Sequence, residues 1–446
     1  MKTKKLHSIT PMFTHIRKKL LALITMILLS QGSTVFADGS LEMTEPNTKH
    51  AFHQIQTHDH YIKATLANGN NLFWEPFGSD LGSNLSDTQS LTASFGARVA
   101  LSNDGTIRAW GEPDFGGTTP ELQNALQEKK VLAIASTGYA FAARLEDGSL
   151  FCWGEELCGG ITPDFHNDLQ GKKVTAIASS GGAFAAILED NSLFCWGDQQ
   201  LGGLTPELNG KKVKSIASNY YAFAAKLEDG SLVCWGLKEG GGSTPDFQND
   251  LQGKKVCSIA STRCAFAAIL EDGSLFCWGY KASGGSTPDF PKDLKGKKVS
   301  SIVSTKAAFT AVLEDGSLFC WGDKESGGVT PKLPLYPAAK KILSLVSTSG
   351  AFTVVFANGT HISWGDPTCG CIHPNATEVL ALDVWRIRSI TSTDFAFFAL
   401  LDDGSLFAWG ELFNDDSASA EKHLARPFLN NPSSGQTVTS LGSAHY

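Results

Sequence analysis

Short apolar segments alternate with glycine-containing turns along most of the chain. Residues 129–163 read KKVLAIASTGYAFAARLEDGSLFCWGEELCGGITP, in which VLAIAS, YAFAARL and SLFCWG are rich in the apolar and aromatic residues of strands. Asp147-Gly148 predicts a two-residue hairpin turn between the second and third segments, because glycine tolerates a positive φ. Asn191 stands in this slot in one copy, and glycine stands there in the others: Gly69, Gly105, Gly230, Gly273, Gly316, Gly359 and Gly404.

The third segment ends in a tryptophan that recurs along the chain. Leu150 and Cys152 occupy one face of this predicted strand and Phe151 and Trp153 the other, so both faces need to be covered. Stacked small sheets cover both faces, and the usual period of 43 residues fits a propeller blade better than a solenoid coil of roughly 20 to 30 residues. The recurring residues are Trp74, Trp110, Trp153, Trp196, Trp235, Trp278, Trp321, Trp364 and Trp409.

These features predict an all-β fold, a β-propeller of seven to nine blades of about 43 residues that covers residues 38–410. The pattern V..IAS...AFAA.LEDGSLFCWG....GG resembles the repeat of the regulator-of-chromosome-condensation family over residues 50–410. The leader and the short period make the chain more similar to that family's secreted bacterial branch, typified by β-lactamase inhibitor protein II. The resemblance implies a blade fold and a protein-binding role, and the family norm is seven blades where nine units are countable here.

Two departures separate this chain from the family pattern. Six copies of GG.TP replace the family's GQLG turn. Phenylalanine stands where the family usually has histidine, at Phe141, Phe184, Phe223, Phe266, Phe309, Phe352 and Phe397.

The two ends of the chain differ from the repeat. Six basic residues precede an apolar run over residues 20–29 and small residues near Ala37, so residues 1–37 are predicted to be a signal peptide. A membrane anchor is the alternative, but about ten apolar residues are too few for a span of roughly 20. Secretion or a periplasmic location follows. Residues 411–446 are predicted to be a polar insertion and a C-terminal strand over residues 438–443, and this strand either closes the ring or is a loose end.

The charge of the mature chain limits its partners. Without the leader, 31 Lys and Arg stand against 45 Asp and Glu, a net charge of −14. A surface this acidic repels phosphate backbones and anionic lipid, so neither nucleic acid nor stable membrane attachment is expected. We expect a monomer that binds a protein partner, without cofactor or metal.

The cysteines and histidines raise alternatives. Cys152, Cys195, Cys234, Cys277 and Cys320 share one strand position in neighbouring blades, too far apart for disulfides, and are predicted to be buried thiols. Cys257 and Cys264 flank the first hairpin of one unit. They either face each other as a disulfide or are two packed thiols. Cys369, Cys371 and His373, with His361, are either a weak zinc candidate, a drifted turn or the site of a local disulfide. His50, His53, His58 and His60 are either a solvated strand end or a weak metal site.

Paired lysines recur before the first strand of many units, for example Lys211-Lys212. They suggest a polyanion site, but the strand directions place them beside the Glu-Asp of the hairpin turns. A self-neutralised rim that protects strand edges is therefore favoured. The tryptophans are likewise predicted to be inter-blade core and not a carbohydrate platform.

The chain carries no recognised catalytic motif and is predicted not to be an enzyme. Two alternatives stay open: an enzyme that uses the central funnel, and an exchange-factor-like effector acting on a host small GTPase.

Two segments differ from copy to copy and are predicted to bind the partner, because variable turns on a rigid scaffold carry specificity. One is the turn between the first and second strands, and the other follows WG. In the first turn the candidates are His58, Asp59, His60, Tyr139, Tyr220, Tyr221, Arg263, Lys306, Asp394 and Phe395. After WG they are Asp114, Phe115, Glu155, Glu156, Lys238, Tyr280, Lys281, Asp323 and Lys324.

Overall fold

A computed structural model describes most of the repeat array. Side chains are described for residues 88–117, 126, 129–164, 166–246, 248–291, 295–331, 341–357, 361–371, 387–401 and 409–410. Backbone strands are also described at residues 34–35, 41–42, 52–58, 61–66, 71–74, 406–408 and 426–427. The expected leader is described at residues 34–35 alone, and the expected closing strand over residues 438–443 lies outside the described residues.

Nine antiparallel units, numbered 1 to 9 in chain order, make up the described array, and this confirms the predicted propeller fold. The first strands are Phe52–His58, Thr88–Ala93, Val131–Ser136, Val174–Ser179, Val213–Ser218, Val256–Ser261, Val299–Ser304, Ile342–Ser347 and Ile387–Ser392. The second strands are Tyr61–Leu66, Ala97–Ser102, Ala140–Leu145, Ala183–Leu188, Ala222–Leu227, Ala265–Leu270, Ala308–Leu313, Ala351–Phe356 and Ala396–Leu401. The third strands are Asn71–Trp74, Ile107–Gly111, Leu150–Gly154, Leu193–Gly197, Leu232–Gly236, Leu275–Gly279, Leu318–Gly322, His361–Gly365 and Leu406–Gly410.

Short elements complete the array. Arg426–Pro427 pairs with the third strand of unit 9 as a fourth strand, and Thr34–Val35 pairs with Leu41–Glu42. One-turn 3-10 helices follow several third strands, at Pro113–Phe115, Glu156–Cys158, Lys238–Gly240, Lys281–Ser283 and Pro367–Cys369. Across the described residues, no helix has the length and apolar character needed to cross a membrane.

The hairpin between the second and third strands differs from the predicted two-residue turn. Gly148 donates its N–H to the carbonyl of Leu145 at 3.0 Å, so Glu146 and Asp147 form the centre of the turn and Gly148 follows with φ +86°. This is the three-residue loop in which a left-handed residue restores the strand pairing. Asn191 adopts φ +61° at the same position, so the need for positive φ was predicted correctly and the loop length was not.

The core lies between successive units. Ala140, Ala142, Leu150 and Cys152 of unit 3 pack on the side chains of Val174, Phe184 and Trp196 of unit 4, and the other boundaries repeat this arrangement. Within a unit, Phe141 stacks on Trp153 with 5.3 Å between the ring centroids. Both rings are buried, so a carbohydrate could not stack on them. Seven of the recurring tryptophans are inter-blade core, as predicted: Trp153, Trp196, Trp235, Trp278, Trp321, Trp364 and Trp409.

Unit 1 lies against unit 9. From unit 2 onward, the first strand of each unit contacts the first strand of the next unit. In several pairs the second strand of a unit also contacts the first strand of the next unit. Phe52–His58 of unit 1 makes both of these contacts with unit 9, through Ile387–Ser392 and Ala396–Leu401. Unit 1 therefore stands where a unit following the ninth would stand.

None of the ten cysteines forms a disulfide. The five equivalent cysteines are buried, as predicted. The suggestion that Cys257 and Cys264 face each other is wrong, because Cys264 lies in the turn beyond Ser261 while Cys257 lies at the far end of the same strand, where the register shifts. Cys369 and Cys371 are buried and unbridged, and the described residues contain no cluster of three metal-ligating side chains. His373 lies outside the described residues.

Candidate protein-binding face

In units 2 to 8, a buried polar residue in the first turn ties the two variable segments together. Thr137 accepts a hydrogen bond on Oγ1 from the Ala140 N–H (3.0 Å) and donates one to the carbonyl of Cys158 (3.2 Å). Asn219 makes the equivalent bond from Nδ2 to the carbonyl of Gly240 at 2.7 Å. The same role falls to Ser94, Ser180, Thr262, Thr305 and Thr348. The first turns and the segments after WG therefore lie side by side, and together they are called the turn face.

Backbone hydrogen bonds link the first turns from unit to unit. The central residue of each turn donates its N–H to the carbonyl of the central residue of the next turn, at 2.8–3.2 Å. Seven such bonds run through Phe95, Gly138, Gly181, Tyr220, Arg263, Lys306, Ser349 and Asp394. The backbone of the turn face is therefore fixed on both sides, while the residues at these positions differ from unit to unit except in units 3 and 4, which both have glycine.

Serines at the ends of first strands add bonds in the opposite direction. Ser261 and Ser304 donate their hydroxyls to the carbonyls of Ser218 and Ser261 in the preceding units, at 2.7 and 2.6 Å. The two sets of bonds make the turn face a rigid support for its side chains, and rigid supports lower the entropy lost on binding.

Two aromatic groups lie on this support. Tyr139 contacts Phe95 edge-on at 5.3 Å and stacks on Phe115 at 5.4 Å between centroids. Tyr220 contacts Tyr221 edge-on, with 5.0 Å between the ring centroids. The guanidinium of Arg263 lies 4.7 Å from the ring centroid of Tyr220. Burial raises the pKa of Tyr220.

Glycines make room for these rings. A Cβ on Gly138 would lie 2.6 Å from the ring of Phe95, and one on Gly181 would lie 2.7 Å from the ring of Tyr220. The ring of Phe95 therefore lies against the turn of unit 3, and the ring of Tyr220 against the turn of unit 4. Phe95 is 58% exposed and Leu157 is 78% exposed on the turn face, and neither was among the residues predicted from the sequence.

Charged candidates are distributed unevenly around the face. Asp114, Glu155 and Glu156 of units 2 and 3 are exposed. Lys238, Lys281 and Lys324 share one slot in units 5, 6 and 7, and they are exposed, as are Arg263, Lys306 and Tyr280. Asp323, Asp394 and Phe395 are partly buried. The side chain of His58, with Asp59 and His60, lies outside the described residues.

The opposite end of the units carries the lysine rim, defined as the lysines before the first strands and the carboxylates of the hairpin turns. Lys211 and Lys254 lie 3.0 and 2.8 Å from carboxylate oxygens of Asp229 and Asp272, and Lys212 reaches Asp190 of the preceding unit at 3.1 Å. The predicted self-neutralised rim is confirmed. The hydrogen bonds of Ser231, followed by Lys211, lower the pKa of Asp229 to about 2.

Comparison with known proteins concerns the fold. No protein-family model and no curated protein sequence matches the chain. Similar solved structures include the ectodomain of the Physcomitrella patens receptor kinase CR4 (17% identity, 63% of this chain and 74% of that chain, TM-score 0.38). The ectodomain of the Arabidopsis thaliana receptor kinase ACR4 has 19% sequence identity and a TM-score of 0.36, and the match covers 64% of this chain and 96% of that chain. Prp20p of Saccharomyces cerevisiae, studied for its binding to Gsp1p and histones, has 18% sequence identity and a TM-score of 0.37. The match covers 70% of this chain and 81% of that chain.

Proposed function

We propose that this chain is a secreted, non-enzymatic propeller that binds a protein partner through the turn face. The supporting observation is the hydrogen-bonded row of first turns, which has glycine in units 3 and 4 and a different side chain in each of the other units of the row. Tyrosine and arginine at such positions are typical binding hot spots, since they combine a large contact area with few rotatable bonds. The core between the units, in contrast, repeats almost unchanged.

Secretion and the role of the binding rest on the sequence. The basic and apolar character of residues 1–37 supports a cleaved leader and a secreted or periplasmic location. The resemblance to the secreted bacterial branch of the regulator-of-chromosome-condensation family supports a role as an inhibitor or effector that acts as a monomer.

Affinity capture tests the proposal. The mature protein and a Tyr139→Ala, Tyr220→Ala, Tyr221→Ala variant are used as baits in medium surrounding the producing organism, with mass spectrometry of the bound proteins. Lys211→Gln with Lys254→Gln on the lysine rim is the matched control. A protein retained by the native and control baits and lost with the tyrosine variant supports the proposal. Equal retention by all three baits would contradict it.

A further inference from the structure

One part of the turn face is cationic on a protein that is acidic overall. The cationic sector consists of Lys238, Arg263, Lys281, Lys306 and Lys324, all exposed and all in the consecutive units 5, 6 and 7. The carboxylates of the same turns and WG segments are Glu239, Asp323 and Glu325. Cations therefore predominate here.

The lysines of the cationic sector differ from those of the lysine rim in their partners. Among the described residues, no carboxylate lies within 4 Å of the charged groups of the cationic sector. Six lysines of the lysine rim, in contrast, lie 2.6–3.2 Å from carboxylate oxygens: Lys130, Lys172, Lys211, Lys212, Lys254 and Lys297. The ion pairs of the lysine rim are exposed and therefore stabilise the fold only slightly. They do neutralise the charges of these lysines, which accounts for the cations on that side. The unpaired cationic sector has no such explanation within the described part of the chain.

The backbone brings these cations into one surface. Arg263 donates its N–H to the carbonyl of Lys306 at 2.9 Å, so the two residues are direct neighbours across the boundary between units 6 and 7. The Arg263 guanidinium lies over Tyr220, which limits its freedom while leaving hydrogen-bond donors for a ligand. Lys238, Lys281 and Lys324 repeat one position along the same arc.

The geometry points to an acidic protein segment, rich in aspartate and glutamate, as the ligand of the cationic sector. This inference rests on the proposed function and specifies the partner's chemistry. Carboxylates fit the fork of a guanidinium, and exposed lysines attract them and speed association. A long phosphate or sulfate polymer fits less well, because the remaining surface of this acidic chain repels it. Units 2 to 4, with Asp114, Glu155 and Glu156, are expected to orient the partner by repelling its acidic end.

A peptide-binding measurement tests this assignment. A fluorescent peptide of alternating glutamate and glycine is titrated with the full mature protein at about 0.05 M salt, where charge attraction is weakly screened. The same peptide with glutamine is the neutral probe. The sector variant is Lys238→Gln, Lys281→Gln, Lys324→Gln, and the control is Lys211→Gln, Lys254→Gln, Lys297→Gln, which changes the net charge equally.

We expect the glutamate peptide to bind the native and control proteins, and the sector variant to bind it at least about tenfold more weakly. Equal weakening in both variants, or equal binding of the glutamine peptide, would overturn the assignment. Tighter binding of single-stranded DNA by the same residues, or a dimer of the protein alone that the sector variant abolishes, would also overturn it. A captured partner that depends on the tyrosines but not on the cationic sector would refute this inference and leave the proposed function standing.

Discussion

Trp153 of unit 3 donates its indole N–H to the carbonyl oxygen of Gly116 in unit 2, at 3.0 Å. Five further tryptophans make the same bond to the preceding unit: Trp196, Trp235, Trp278, Trp321 and Trp364. Gly116 adopts φ +86°, and a Cβ there would lie 2.5 Å from the ring of Phe141. The tryptophan and the Gly-Gly turn therefore form one inter-unit contact.

Trp153→Phe is expected to destabilise the protein by about 2 kcal/mol or more, because it leaves the buried carbonyl of Gly116 unpaired and opens a cavity. The free energy of unfolding, from urea denaturation, measures this effect. Tyr280→Phe removes a polar group from a ring that is 56% exposed and should leave the unfolding free energy unchanged. An equal effect of both substitutions would contradict the contact described above.

His361 is 2% exposed, and neither of its ring nitrogens has a hydrogen-bond partner among the described residues. Its ring lies 5.0 Å from that of Trp409. Burial lowers the pKa of His361 to about 4 from an ordinary value of 6.5. The unfolded chain therefore binds a proton between about pH 6.5 and 4 while the folded protein does not, and stability falls as the pH falls through that range.

Other units place leucine where unit 8 has His361, for example Leu318 in unit 7. His361→Leu should therefore raise the unfolding free energy and remove about 2 kcal/mol of the loss between pH 7 and pH 5. Leu318→His should introduce a similar loss. Urea denaturation at the two pH values measures both, and an unchanged pH dependence in His361→Leu would show that His361 is not the titrating group.

The cysteines should react in the order of their burial. Cys257 is exposed, whereas burial raises the pKa of Cys152 and Cys195 to about 12. We expect iodoacetamide to modify Cys257 first and the five equivalent cysteines only after unfolding, since the thiolate is the reactive form. Peptide mass spectrometry after timed labelling measures this order. Disulfides among the five equivalent cysteines would refute the stacked arrangement of the units.

The contact between unit 1 and unit 9 should contribute to global stability. Removing residues 1–74 deletes Phe52–His58 and exposes the side of unit 9 that this strand covers. We expect the melting temperature to fall by at least about 5 °C relative to a protein lacking residues 1–50. Identical melting of the two proteins would mean that this contact does not stabilise the array.

Features that depend on one unit could be predicted from the sequence. The recurrence of VLAIAS, YAFAARL and SLFCWG gave the three strands, and the positive φ of Gly148 and Asn191 followed from residue type. The placement of Lys211 opposite Asp229 followed from strand direction alone. The predicted loop length was wrong because the sequence is compatible with both a two-residue turn, Asp147-Gly148, and a three-residue loop, Glu146-Asp147-Gly148. Both loops place Gly148 at a positive φ, so residue type alone does not distinguish them.

Features that depend on how units meet could not be predicted. The bond from Gly138 to Gly181 joins residues in different units, and the chain spacing alone does not give its geometry. The first turn was predicted only as a variable binding segment, yet the buried hydroxyl of Thr137 fixes this turn to the segment after WG. Phe95 was missed because its exposure depends on Gly138 beneath its ring, although an apolar residue in a turn was a visible signal.

The central claim is that the turn face binds the partner, and a double-mutant cycle at Tyr220 and Arg263 tests it most directly. Once the partner is identified, isothermal titration calorimetry gives its Kd for Tyr220→Ala, Arg263→Ala and the double variant, with Tyr221→Ala alongside. We expect the strongest single effect to be about 2 kcal/mol or more. The two losses should be less than additive, because the guanidinium lies over the ring. Unchanged affinity in these variants, together with loss of binding on charge reversal at Lys211 and Lys254, would place the partner on the lysine rim and contradict the account.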